Sequence, residues 1–272
     1  MLRKGDLTQG GITGTLLHFT LPMMVGSFLQ QCYNIADTLI VGQCIGAGAL
    51  AAVGSAYTLM VFLISVLLGL AMGSGTVFSL HYGAGNHVAL RRSIFSSFVL
   101  IGIVTLILNV AVFIWLDPIL RLLQVPQDIY GMMRSYLWII FCGIVFTFIY
   151  NFYASLLRAV GDSVTPLWFL AVSVVLNIAL DLFFILQLDW GIQGAAAATV
   201  LAQGVAALGI IIYTYRRRPE LRWHHEDMCF DRTCLKEIAS FSTLTCIQQS
   251  VMNLGILMVQ GLVNLSLIHI SE

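Results

Sequence analysis

The stretch Val164-Thr-Pro-Leu-Trp-Phe-Leu-Ala-Val-Ser-Val-Val-Leu-Asn177-Ile-Ala-Leu-Asp181-Leu-Phe-Phe-Ile-Leu-Gln187 decides the fold class. It is long enough to cross a bilayer as a helix, which takes roughly 20 predominantly apolar residues. Asp181 is its one acid, and it contains no lysine or arginine. Similar apolar runs recur at about 16–41, 54–80, 93–116, 132–157, 192–215 and 238–264, so this run is the fifth of seven. None shows the alternating ten-residue pattern of a membrane barrel. The reading is an all-α, polytopic membrane protein.

Composition agrees. Of 272 residues, 59% are hydrophobic and 10% charged, against about 25% charged in an ordinary soluble domain. The mean hydropathy is +0.92. One soluble core of this size would not bury so much apolar surface. A secreted disulfide scaffold, a disordered chain and a nucleic-acid binder are excluded. The 13 basic and 13 acidic residues cancel, so net charge implies no global electrostatic partner. The six cysteines form no CxxC pair, and those in apolar runs read as small hydrophobes. The polar N-terminal residues lack a signal-peptide pattern, so run one is read as a retained helix.

The placement of charge gives an orientation. The N-terminus and the loops after runs two, four and six hold eleven Lys and Arg, among them Arg91, Arg92, Arg158 and Arg216. The opposite side holds only Arg121 and Arg134. Eleven against two places the N-terminus in the cytoplasm. Between runs three and four, Asp117 followed by Pro118 reads as an N-cap with proline at N1. A short interfacial helix ending at Pro126 is expected there.

Only Asp37 and Asp181 lie deep in apolar runs, with no basic residue at that depth to neutralise them. A charged aspartate at the bilayer centre costs about 2.5–3.5 kcal/mol on insertion scales, so such residues face the protein interior and usually serve function. Gln30, Tyr33, Asn34 and Asp37 recur at spacings of three and four and share one helix face. Asn177 and Asp181 share another, as do Thr199 and Gln203. Together they offer the carboxylate, amide and hydroxyl oxygens that hard cations prefer. The set suits a proton or a sodium ion equally. The bland alternative is a neutral, hydrogen-bonded aspartate that only joins helices. Pro22 inside run one removes a helical hydrogen bond and favours a kink, so it reads as a hinge or a packing bend.

Run seven contains Gln248-Gln249 as run one contains Gln30-Gln31. Each pair lies in the interior of its run, as if run seven restarted the pattern. Transporters are often built from such repeats. On that reading the chain is a first half plus one helix, and the tail after Asn264 departs from the pattern.

These residues carry a family resemblance. In order come Pro22 with Tyr33-Asn34-Ile-Ala-Asp37-Thr38, then Gly83-Ala-Gly85-Asn86 with Arg91-Arg92-Ser93. Next come Leu157-Arg158-Ala-Val-Gly161-Asp162-Ser163-Val-Thr-Pro166, then Asn177 to Asp181, then Gly191-Ile-Gln-Gly194-Ala-Ala with Thr199. The chain resembles the multidrug and toxic compound extrusion (MATE) transporters over about residues 10–264. The resemblance implies the six-helix N-lobe of a two-lobe, twelve-helix transporter, with a seventh helix at the end. That divides the chain into a lobe over 1–215, a cytoplasmic linker over 216–237 and the first helix of a second lobe over 238–272. It implies export of organic cations and drugs against inward sodium ions or protons, by alternating access, from the inner membrane. Asp37, Asn177, Asp181 and Thr199 match the family's N-lobe ion site, and Asn151 matches a polar lining position. Gln30, Tyr33, Asn34 and Gln203 join it as cavity candidates. The completed protein is expected to act as a monomer, with small-molecule substrates and the bilayer as partners and no cofactor beyond the coupling ion. Ser242 stands near where many relatives carry proline.

Other signals rank lower. Trp223-His224-His225-Glu226-Asp227-Met228-Cys229 matches no standard zinc spacing. Gly69-Leu-Ala-Met-Gly73 is a small-xxx-small pattern suited to dimerisation, or more readily to packing within the bundle. Arg158, Gly161 and Asp162 read as a turn with its cap. No phosphate loop or nucleophile elbow is present, so no enzyme is read. Two other readings stay open. A lipid-linked saccharide flippase of the same superfamily would want cations in its cavity. A non-transport assembly subunit would use its acids only as structure.

Overall fold

The computed structural model describes residues 12–123, 125–223 and 232–271, which are almost entirely helical. The elements are α1 (Ile12–Cys44), α2 (Ala47–Gly83), α3 (His87–Leu122), α4 (Gln127–Cys142), α5 (Ile144–Ala159), α6 (Val164–Leu182), α7 (Gly191–Arg217) and α8 (Arg232–Ser271). A π-turn, Phe183–Gln187, extends α6, and a 3₁₀ turn, Pro219–Leu221, follows α7.

All seven apolar runs fall inside helices. α2, α3, α6 with its π-turn, and α7 are long and apolar enough to cross a membrane, and the α4–α5 pair is a fifth if taken as one bent span. α1 and α8 have the length but lie outside that set among the described residues. Gln30, Gln31, Asn34 and Asp37 interrupt α1, and Gln248, Gln249 and Asn253 interrupt α8. Large apolar side chains face outward, as lipid requires: Leu106, Ile114, Val175 and Leu208 are all exposed.

α2 is the central helix, packing along α8 and against α1, α3, α4 and α5. Its 37 residues are unbroken and span about 55 Å at 1.5 Å per residue, well beyond a hydrocarbon core of about 30 Å. Its glycines serve close approach. A Cβ on Gly69 would sit 2.6 Å from Cys246 Cα, and one on Gly73 would run into the backbone of Ser242. The Ser242 hydroxyl donates to the Leu70 carbonyl (3.2 Å), the Cys246 thiol donates to the Val66 carbonyl (3.4 Å), and the Asn253 amide donates to Ser65 Oγ. The small-xxx-small pattern therefore packs α2 on α8 within one chain.

The fourth run, 132–157, is bent in its middle. α4 and α5 meet at 47° across Gly143. A Cβ there would collide with the Val200 side chain of α7, so glycine lets α7 press into the break. The break is buried, the setting in which irregular backbone is tolerated at membrane depth.

The expected helix between runs three and four does not form separately. α3 runs through Pro118 to Leu122, because Leu116 and Leu120 are buried in the core on either side of it. Asp117 is not a cap. Its carboxylate accepts from Arg134 Nε (2.8 Å) and Tyr130 Oη (2.9 Å), tying α3 to α4. The loop after α5 does hold a capped turn. Gly161 sits at φ 87°, in the left-handed region, and Asp162 accepts from the Thr165 N–H (3.0 Å) and hydroxyl (2.8 Å). α8 starts at Arg232, inside the expected linker, and continues to Ser271. Positions 224–229, weighed above for metal binding, lie outside the described residues.

Candidate functional site

Three helices bring the sequence-predicted polar residues together. α1 contributes Tyr33 and Asp37, α6 contributes Asn177 and Asp181, and α7 contributes Thr199. The i, i+4 spacing puts each pair on one face, and both α1 and α7 pack on α6. Asp181, Asn177 and Thr199 are 0%, 2% and 9% exposed, while Asp37 and Tyr33 are half-buried.

The contacts form a chain. Oriented to satisfy both neighbours, the Asn177 amide N–H donates to Asp181 Oδ2 (2.8 Å). Its oxygen accepts from the Thr199 N–H (3.1 Å) and hydroxyl (3.3 Å). The Tyr33 hydroxyl donates to Thr199 Oγ1 (3.3 Å). Asp37 and Asp181 lie within side-chain hydrogen-bonding reach of each other. One buried oxygen of each, Asp37 Oδ1 and Asp181 Oδ1, has no hydrogen-bond partner among the described residues. Two carboxylates so placed cannot both stay ionised and uncompensated; they require a shared proton or a cation between them. α1, α6 and the part of α7 before Arg216 contain no lysine or arginine.

The cavity candidates divide. Gln203 and Asn151 converge on Thr147 of α5: the Thr147 hydroxyl donates to Gln203 Oε1, and the Asn151 amide donates to the Thr147 carbonyl (2.8 Å). Thr147, Gln203 and Thr199 line a cavity of about 30 Å³ beside the α4–α5 break, with Met60, Ile140 and Val200 among its apolar walls. That volume is enough to hold a water. Asn34 instead donates to Gln31 Oε1 (3.1 Å) on the exposed side of α1, so its amide is not engaged with the acids. Gln30 is half-buried on the same helix, and Pro22 lies within α1, which stays helical through it.

Sequence reasoning missed Tyr136 of α4. It is 4% exposed and close enough to feel the charges of Asp37, Tyr33 and Asp181. A tyrosine in an apolar run carries no signal that separates it from ordinary core. Thr147 was missed for the same reason.

The MatE family model matches residues 22–183. The probable multidrug resistance protein YpnP of Bacillus subtilis is 37% identical over 217 residues, covering 80% of this chain and 49% of that protein. The multidrug export protein MepA of Staphylococcus saprophyticus is 31% identical over 210 residues, covering 74% and 45%. The chain thus spans about half the length of the curated relatives it matches. An outward-facing structure of a multidrug resistance MATE transporter of the MOP superfamily superposes with a TM-score of 0.87 at 24% identity, over 94% of this chain and 57% of that one. It supports the all-α, polytopic fold. The family match, the acid-bearing helices and the shared architecture agree that this chain belongs to the MATE transporter family.

Proposed function

We propose that this chain is the ion-coupling half of a multidrug efflux antiporter. In this reading Asp37 and Asp181, with Asn177 and Thr199, hold the coupling ion, a sodium ion or a proton. The observation that carries it is the buried acid pair, in which each aspartate has an oxygen without a donor. Oxygen ligands of this kind suit a hard cation, and a proton satisfies the same pair. Drugs and other organic cations leave the cell as the ion enters, and Gln30, Tyr33, Asn151 and Gln203 line their path. Occupancy of the acid pair changes the bend of α1 about Pro22, and the shift is bounded by the ion's differential affinity for the two states. The eleven-to-two distribution of Lys and Arg supports a cytoplasmic N-terminus in the inner membrane. The names of YpnP and MepA, a multidrug resistance protein and a multidrug export protein, support the substrate class.

The flippase reading lacks support from the helices around the pair, since a cavity built for pyrophosphate would be cationic and α1 and α6 contain no Lys or Arg. The test is drug resistance conferred by a protein carrying both lobes. Asp37→Asn and Asp181→Asn should each abolish resistance while membrane insertion is retained. Resistance retained in both variants would rule out this site as the coupling centre.

A further inference from the structure

The loop between α5 and α6 reaches back to α1. Ser163 is 5% exposed, and its hydroxyl donates to the Phe19 carbonyl at 2.9 Å. Phe19 lies three residues before Pro22, in the turn that the proline ring crowds. Pro22 has no N–H, so the His18 carbonyl loses its helical donor and the turn is weakened. The Ser163 hydroxyl does not replace that donor; it bonds the next carbonyl, that of Phe19, and so ties the weakened turn from outside the helix. On the other side of the proline Ser27 donates back to the Met23 carbonyl of its own helix at 3.2 Å.

Ser163 is held on a rigid mount. The left-handed Gly161 turns the chain so that the Asp162 N–H bonds the Leu157 carbonyl of α5 at 2.9 Å. The Asp162 carboxylate caps α6 through Thr165 and pairs with Arg218 at the end of α7 (3.6 Å). This hydroxyl therefore links the first turns of α1 to a mount that is itself tied to α5, α6 and α7.

We propose that Ser163 is a positioning residue, a latch on the Pro22 turn, and that α1 changes its bend only when the Ser163–Phe19 bond opens. The inference rests on the reading of α1 as the moving helix, but its test reads backbone exchange and not transport. The measurement is amide hydrogen exchange across residues 19–23 in the detergent-solubilised chain. Ser163→Ala should speed that exchange about tenfold, as expected for loss of one buried hydrogen bond. Ser163→Thr, which keeps the hydroxyl, should stay within about twofold of the parent. In a Pro22→Ala background the restored N–H donates to the His18 carbonyl and stiffens the turn whether or not Ser163 is bonded to Phe19, so adding Ser163→Ala should change exchange by less than about twofold. No acceleration in Ser163→Ala overturns the latch. So does equal acceleration in both backgrounds, which marks a general packing effect, or equal acceleration by the threonine and alanine variants. Retained drug resistance in the aspartate variants would fail the coupling reading and leave this exchange result unaffected.

Discussion

Two helix contacts in this molecule are built on opposite principles. Where α2 meets α8, glycines remove side chains so that backbones touch, and the polar atoms of Ser242, Cys246 and Asn253 all find acceptors. Where α1, α6 and α7 meet, the side chains are larger and more polar, and two carboxylate oxygens stay unmatched. The first contact is complete in itself, as membrane packing through small residues tends to be. The second becomes complete only when something is added. A buried group left unsatisfied costs about 1–3 kcal/mol, more when charged, so the deficit at the acid pair is what the proposed ion binding would relieve.

The comparison gives a ranked set of outcomes. Gly73→Leu forces a branched side chain against the Ser242 backbone, and such overpacking should cost about 3 kcal/mol. A large fall in the thermal unfolding midpoint in detergent would bear this out, and an unchanged midpoint would show that α8 does not sit in the glycine groove. Thr199→Val is intermediate. It removes the hydroxyl joining Tyr33 to Asn177 and should cost about 1–2 kcal/mol, read from the same midpoint. Asp181→Asn should be smallest, within about 1 kcal/mol of the parent, because the amide keeps the shape and removes an unmatched charge. A collapse of the fold in Asp181→Asn would make the pair structural and erase the contrast.

The positions of the helices were legible because apolar runs of bilayer length are an unambiguous signal, and the acids stood out because nothing near them in sequence could neutralise them. The faces were legible for the same local reason: Tyr33 and Asp37, like Asn177 and Asp181, are four apart. What failed to show depends on partners from distant helices. Gly143 is an unremarkable glycine until Val200 of α7 presses on it. Tyr136 reads as core until Asp37 of α1 and Asp181 of α6 come near it, and Thr147 until Gln203 of α7 meets its hydroxyl. Asp117-Pro118 has the local form of a helix start, but Leu116 and Leu120 are buried on both sides and carry α3 through it. Ser163 belonged to a motif read only as a turn, because its acceptor, the Phe19 carbonyl, lies 144 residues away.

The central claim is that Asp37 and Asp181 exchange one ion as a unit. Infrared difference spectroscopy of the two-lobed protein tests it directly, by recording the carboxyl bands on acidification and on addition of sodium. The account predicts a carboxyl band change in response to one or both ions that disappears in Asp37→Asn and in Asp181→Asn alike, because neither acid binds the ion alone. A band change that survives both substitutions would place ion exchange elsewhere and contradict the account.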